Sequence, residues 1–103
     1  MAYDTAIAAL ADPTRRALVE RLRAGPQPVG VLADDLPISR PAVSQHLKVL
    51  SDAGLLEVEP QGARRLYRLA PRGLDELRAY LDGLWDDALS SFAARAREVA
   101  KGS

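Results

Sequence analysis

No cysteine occurs among the 103 residues, which excludes a disulfide framework, thiolate metal sites and thiol redox chemistry. Histidine occurs once, so a metal site built from several imidazoles is excluded as well. The longest unbroken apolar run, Ala6 to Ala11, is far too short to cross a bilayer. No charged, apolar and cleavage-site pattern marks a signal peptide, and the expected location is the cytoplasm, with no membrane partner. A Gly-rich phosphate loop is missing. The doublets Asp34-Asp35 and Asp86-Asp87 diverge by about 100° on a helix and form no carboxylate site by themselves. Ser44, His46 and Asp52 run along one helix and lack the facing geometry of a triad. Nothing here points to an enzyme or a cofactor.

Charge of either sign is also missing in the sum, since fourteen basic residues balance fourteen acidic ones. The distribution is uneven. Residues 39–72 hold Arg40, Lys48, Arg64, Arg65, Arg68 and Arg72 against Asp52, Glu57 and Glu59, while the segments on both sides are net acidic. A local cationic surplus attracts phosphates even on a neutral molecule.

The surplus begins at a segment built as a helix with one packed face and one polar face. Ser39 is a good N-cap, Arg40 and Pro41 suit a first turn, and Gly54 suits the left-handed residue that ends a helix. With Val43 set at zero, Leu47 and Leu50 fall within about 40° of it, a buried stripe. Ser44, Lys48, Pro41 and Gln45 fall at about 100° to 200°, a small, polar and cationic face. Such a face fits the DNA major groove, where amides and hydroxyls meet base edges and cations meet phosphates. His46 lies on the flank of the stripe, as a packed or hydrogen-bonded histidine.

Upstream, Tyr3 to Ala11 is a short Ala-rich helix. Asp12 and Pro13 restart a helix that Gly25-Pro26 ends, with Ala17, Leu18, Val19 and Leu22 inward and Arg15, Arg16, Glu20, Arg21 and Arg23 mostly outside. A third helix spans about Val29 to Leu36, and Pro37-Ile38 leads tightly into Ser39. Helix, short turn and helix in this order make a helix-turn-helix. Downstream the period changes to that of strands, over 57–69, with Pro60 to Ala63 as the turn. A hairpin in that position is a wing, and Arg64 and Arg65 beside its tip reach toward phosphate or the minor groove. Pro71 to Gly73 breaks the chain. A helix over about 74–100 follows, with Leu74, Leu77, Leu81, Leu84 or Trp85, Leu89 or Ala88, Phe92, Ala96 and Val99 recurring every three or four residues. At about 40 Å it outruns a domain whose radius of gyration should be about 13 Å. The stripe therefore continues into a second subunit, through Tyr3, Ile7, Leu81, Trp85, Leu89 and Phe92. Residues 1–103 are expected to form a single domain.

Three stretches, Ala9-Leu10-Ala11-Asp12-Pro13-Thr14-Arg15-Arg16, Ser39 to Leu50 with Ala53-Gly54-Leu55, and Gly62-Ala63-Arg64-Arg65-Leu66-Tyr67, resemble the ArsR/SmtB family of bacterial winged-helix repressors. The resemblance implies a mostly α fold with a small β-hairpin, a winged helix-turn-helix dimerising through its N- and C-terminal helices. It implies a homodimer that binds double-stranded DNA at an inverted-repeat, palindromic operator and often represses its own operon. Carried onto this chain, DNA contacts fall to Ser39, Arg40, Pro41, Ser44, Gln45 and Lys48 of the 40–53 helix region and to Gly62, Arg64 and Arg65 of the wing. Metal-sensing members use cysteines before the recognition helix, or His and acidic ligands on the last helix. Here the first region reads Val29-Gly30-Val31-Leu32-Ala33-Asp34 and the last helix has no histidine. The chain therefore resembles the metal-independent branch, whose last helix carries a Trp such as Trp85, and no metal site and no particular effector is expected. The second reading of the basic wing is a protein-interaction module with an acidic partner.

Overall fold

The computed structural model of the chain describes residues 2–102. Helix α1 (Ala2–Leu10) ends on the approach to Pro13, which holds Asp12 in extended backbone. Asp12 then caps α2 (Pro13–Leu22), its Oδ1 accepting from the amides of Thr14 at 2.8 Å and Arg15 at 3.0 Å. The Arg15 amide is the foremost cause that holds the Asp12 carboxyl below its ordinary pKa; desolvation opposes it, and the Thr14 amide acts the same way as Arg15.

A two-residue strand, β1 (Gln27–Pro28), precedes α3 (Val29–Ala33). Helix α3 is shorter than the expected span to Leu36. Its end tightens into turns, with Asp34 N donating to Val31 O at 3.3 Å and Leu36 N to Ala33 O at 3.2 Å. Pro37 disfavours helical backbone at Leu36, and adjacent aspartates do little to prolong a helix.

Helix α4 (Arg40–Asp52) starts where expected, with Ser39 Oγ accepting from Ala42 N at 3.2 Å. It ends in a Schellman motif: Leu55 N donates to Leu50 O and Gly54 N to Ser51 O, both at 3.0 Å, with Gly54 at φ +80°. The apolar contact that accompanies this motif is made by Leu50 and Leu55, both buried.

Strands β2 (Leu56–Gln61) and β3 (Arg64–Leu69) form the wing, longer than expected because Pro60 and Gln61 belong to β2. Gln61 pairs with Arg64, leaving Gly62-Ala63 as a two-residue turn. Only Gly62 of the pair has positive φ, +61°, which is the pattern of a type II′ turn. Pro60 is tolerated because β2 is an edge: the antiparallel sheet runs β1-β3-β2. The sheet has three strands rather than the two of the expected hairpin, since Gln27 and Pro28 pair with Tyr67 and Leu66.

Helix α5 (Pro71–Gly102) begins at Pro71, so residues 71–73 are its first turn and not the expected break. Gly73 lies against the Gly54 carbonyl so closely that any Cβ there would overlap it. Beside this contact Ala70 N donates to Leu55 O at 2.8 Å. The 32 residues of α5 run about 48 Å. They make the molecule 69 Å long against 26 and 24 Å in the other directions.

Leu18, Leu22, Leu32, Val43, Leu47, Leu50, Leu55 and Leu56 form the core, with Ala6 and Ala9 closing it from α1. Arg15, expected outside, is part of the framework. Its Nε donates to Ala9 O at 2.6 Å and its Nη1 meets His46 Nδ1 at 3.4 Å. Arg16 Nη1 donates to Leu10 O and Ala11 O at 2.8 and 3.0 Å. Helix α1 has no basic residue in its last turn, and the two arginines of α2 satisfy its free carbonyls instead. His46 is half-buried against Arg15, on the flank of α4 where its position in the helix puts it.

Candidate nucleic-acid interface

Helix α4 sorts its side chains by face. Val43, Leu47 and Leu50 are fully buried, while Arg40, Pro41, Ser44, Gln45 and Lys48 are exposed. The capping turn fixes the N-terminal end of this face. Ser39 Oγ accepts from the helix, which leaves its hydroxyl hydrogen free to donate.

Across from α4 stands the wing. By strand alternation Val58, Tyr67 and Arg65 share the face toward α4, and Glu57, Glu59 and Arg68 share the other. Between wing, α3 and α4 lies an open hollow of about 1130 Å³. Arg40, Ser44 and Lys48 from α4 and Arg64 and Arg65 from the wing all line it. The structure thus brings five of the nine expected DNA-binding residues around one concavity. Pro41 and Gln45 lie on the neighbouring exposed strip of α4, Ser39 at its start, and Gly62 at the tip of the wing.

The cations are not equivalent. Arg68 donates to Glu57 at 3.1 Å and to Glu59 at 2.9 Å on the face turned away from the hollow. Lys48 Nζ donates to Asp52 Oδ2 at 2.9 Å, and that hydrogen bond, with the attraction of the carboxylate, raises the Lys48 pKa above its ordinary value. Arg40, Arg64 and Arg65 make no ion pair among the described residues. The Arg40 guanidinium rests over Gly30 of α3, 3.4 Å from where a Cβ would stand. The unpaired cationic charge facing the hollow is therefore that of Arg40 and Arg65, with Arg64 at its edge on the other strand face and Lys48 paired with Asp52.

Some residues of this face carried no sequence signal. Val31 and Val58 are exposed and line the hollow, and Val49 is exposed one turn beyond Gln45. Each is a single apolar residue outside the buried stripes. Ser51 also lines the hollow, its Oγ buried without a hydrogen-bond partner.

The residues expected at a subunit contact lie elsewhere. Tyr3 stacks on Tyr80 within the chain, ring centroids 4.2 Å apart and planes 6° from parallel, which docks α1 on α5. Ile7, Leu81, Trp85, Leu89 and Phe92 are exposed, Trp85 at 66 % and Phe92 at 74 %. Among the described residues no cluster of three His, Cys, Asp or Glu side chains is placed to hold a metal ion. No helix there is long and apolar enough to cross a membrane.

Comparison with known proteins agrees with this geometry. Residues 10–59 match the model of a helix-turn-helix domain. The HTH-type transcriptional regulator Rv2034 of Mycobacterium tuberculosis is 60% identical over 90 residues, covering 87% of this chain and 84% of that protein. An ArsR-like transcriptional regulator from Rhodococcus sp. RHA1 superposes with a TM-score of 0.75 at 31% identity, over 88% of this chain and 89% of the other. The chain belongs to the ArsR/SmtB family. A further relative in structure is Mb0332 from Mycobacterium bovis, a homodimeric winged helix-turn-helix DNA-binding domain, with a TM-score of 0.67 at 26% identity over 84% of this chain and 80% of that one. ArsR/SmtB proteins are DNA-binding transcriptional regulators and not enzymes. In family terms α3 and α4 are the helix-turn-helix and β2–β3 the wing.

Proposed function

We propose that this chain is a homodimeric repressor, acting in the cytoplasm, that binds an inverted-repeat operator and controls its own promoter. The observation that carries the reading is the hollow in which α4 and the wing present Arg40, Ser44, Lys48, Arg64 and Arg65 together. In this reading α4 enters the major groove. Gln45 and Ser44 meet base edges, and Lys48 with the arginines meets the flanking phosphates.

Two features of α5 support the dimer. Every residue from Leu81 to Gly102 is exposed, and leaving the large apolar ones in water forfeits about 1.5–3 kcal/mol each. The charges also divide by halves. Residues 71–87 carry Arg72 and Arg78 against Asp75, Glu76, Asp82, Asp86 and Asp87, whereas residues 88–102 carry Arg95, Arg97 and Lys101 against Glu98. A two-fold axis that sets two α5 helices antiparallel puts the acidic half of one beside the basic half of the other. The same axis pairs the two recognition helices, which a palindromic site requires at about 34 Å.

Selection from random duplexes with the full chain tests this. The expected product is an inverted repeat with half-sites about one helical turn apart. Its affinity should fall by roughly 0.9 log unit per log unit of salt for each phosphate neutralised. Gln45→Ala should relax discrimination at particular base pairs while leaving affinity for random DNA nearly unchanged. Failure to bind any duplex in a salt-sensitive way would instead favour an acidic protein as the partner of the wing.

A further inference from the structure

Asp52 is an anomaly on the exposed face of α4. It stands in the last turn of the helix, which holds no basic residue, where an anion opposes the helix dipole. It also places a negative charge on the one helix that should approach phosphates. What it touches is Lys48, one turn back, at 2.9 Å. Both side chains are largely in solvent, at 70% and 66% exposure, so the pair is of the solvent-screened kind that adds little to stability. Stability does not explain the residue.

We propose that Asp52 is a specificity-determining residue that withholds Lys48 from DNA until α4 is seated in its operator. The proposal rests on the reading of α4 as the helix that meets the duplex. On random DNA the chain is held loosely by phosphates, and a lysine already paired with a carboxylate brings no net charge and displaces no counterion. Seating α4 through the base contacts of Ser44 and Gln45 holds a phosphate at a fixed place beside Lys48, and the ammonium exchanges the carboxylate for it. The weak, solvent-exposed pair makes that exchange easy. Arg40, Arg64 and Arg65, which have no such partner among the described residues, supply the attraction common to all sequences. Discrimination is thereby gained by penalising the wrong complex as well as by improving the right one.

The test compares Asp52→Asn with the unsubstituted chain on a selected operator and on random duplex, each across a salt series, with thermal melting to confirm that the fold is kept. The expected result is a steeper salt slope on random DNA, by about 0.9 per protomer, and a much smaller change on the operator. Between about 50 and 200 mM salt that amounts to roughly 3.5-fold more affinity lost on random DNA per protomer. The ratio of operator to random affinity falls severalfold at low salt. Lys48→Ala should act in the mirror sense, flattening the operator slope and leaving the random one nearly unchanged. Equal changes on both DNAs would overturn the proposal, because diffuse repulsion by Asp52 does not distinguish them; no change on either would overturn it too. If the unsubstituted chain prefers no duplex over random DNA, it is the operator reading itself that fails, and the proposal with it.

Discussion

Helix α4 buries Val43, Leu47 and Leu50 completely within its own chain, whereas α5 from Leu81 onward leaves Trp85, Leu89 and Phe92 in water. Both helices carry an apolar stripe at helical spacing, and the stripes are equally visible in the residues. The difference is what lies opposite. Around α4 the chain provides α2, α3 and β2, so its remaining face is free to be polar and to meet a ligand. Around the far half of α5 the chain provides nothing, so the apolar face itself is what a partner must meet. One end of the molecule is closed and turns a polar face outward; the other is open and carries the surface proposed for a second copy.

The sharpest way to break this contrast is to damage the closed end. Leu50→Ala removes a fully buried side chain and should cost about 2–5 kcal/mol, read by denaturant unfolding. The melting temperature of that variant should still depend on protein concentration, as it does for any dimer whose folding is coupled to association. Trp85→Glu should do the converse. It leaves the core intact, yields monomers in sedimentation, and removes the concentration dependence of melting; an intact dimer would refute the contact. The smallest effect belongs to the junction between the two ends. Asp12 is held below its ordinary pKa by the Arg15 and Thr14 amides, so its contribution to stability is present when it is ionised and fades as pH falls through the carboxylate range. Asp12→Ala should lower the melting temperature at neutral pH, and the deficit should shrink on acidification. A deficit that is the same at all pH values would show that ionisation of Asp12 plays no part in the cap.

Legibility followed the same division. The stripe of α4, its Ser39 cap and its Gly54 end are local patterns with a local cause, and they appear in the structure as they read in the chain. The helical character of α5 was equally plain, but its start was not. Pro71 and Gly73 are breakers in isolation, and Gly73 is required by its contact with the Gly54 carbonyl, which no local pattern records. Strand β1 escaped notice because two residues, one of them proline, carry no alternation, and they are strand only because β3 lies beside them. Arg15 and Arg16 read as solvated charges because the carbonyls they satisfy belong to the preceding helix. The cationic surplus of residues 39–72 was visible as a sum. Its distribution needed geometry, since Arg68 is turned to Glu57 and Glu59 while Arg65 faces the hollow and Arg64 lines its edge.

The contact of Gly73 with Gly54, together with the Ala70–Leu55 hydrogen bond, has a consequence for how such a protein can change. The two ends of the hairpin are clasped at its base by main-chain atoms. The wing is thus a detour inserted between elements that already hold each other. The charge and the tip of its outer part, beyond the residues that pair with β1, can be exchanged without altering the join between α4 and α5. In modular terms, the chain keeps its frame and the tip of its wing separable, so the tip can change while the join of α4 to α5 stays the same.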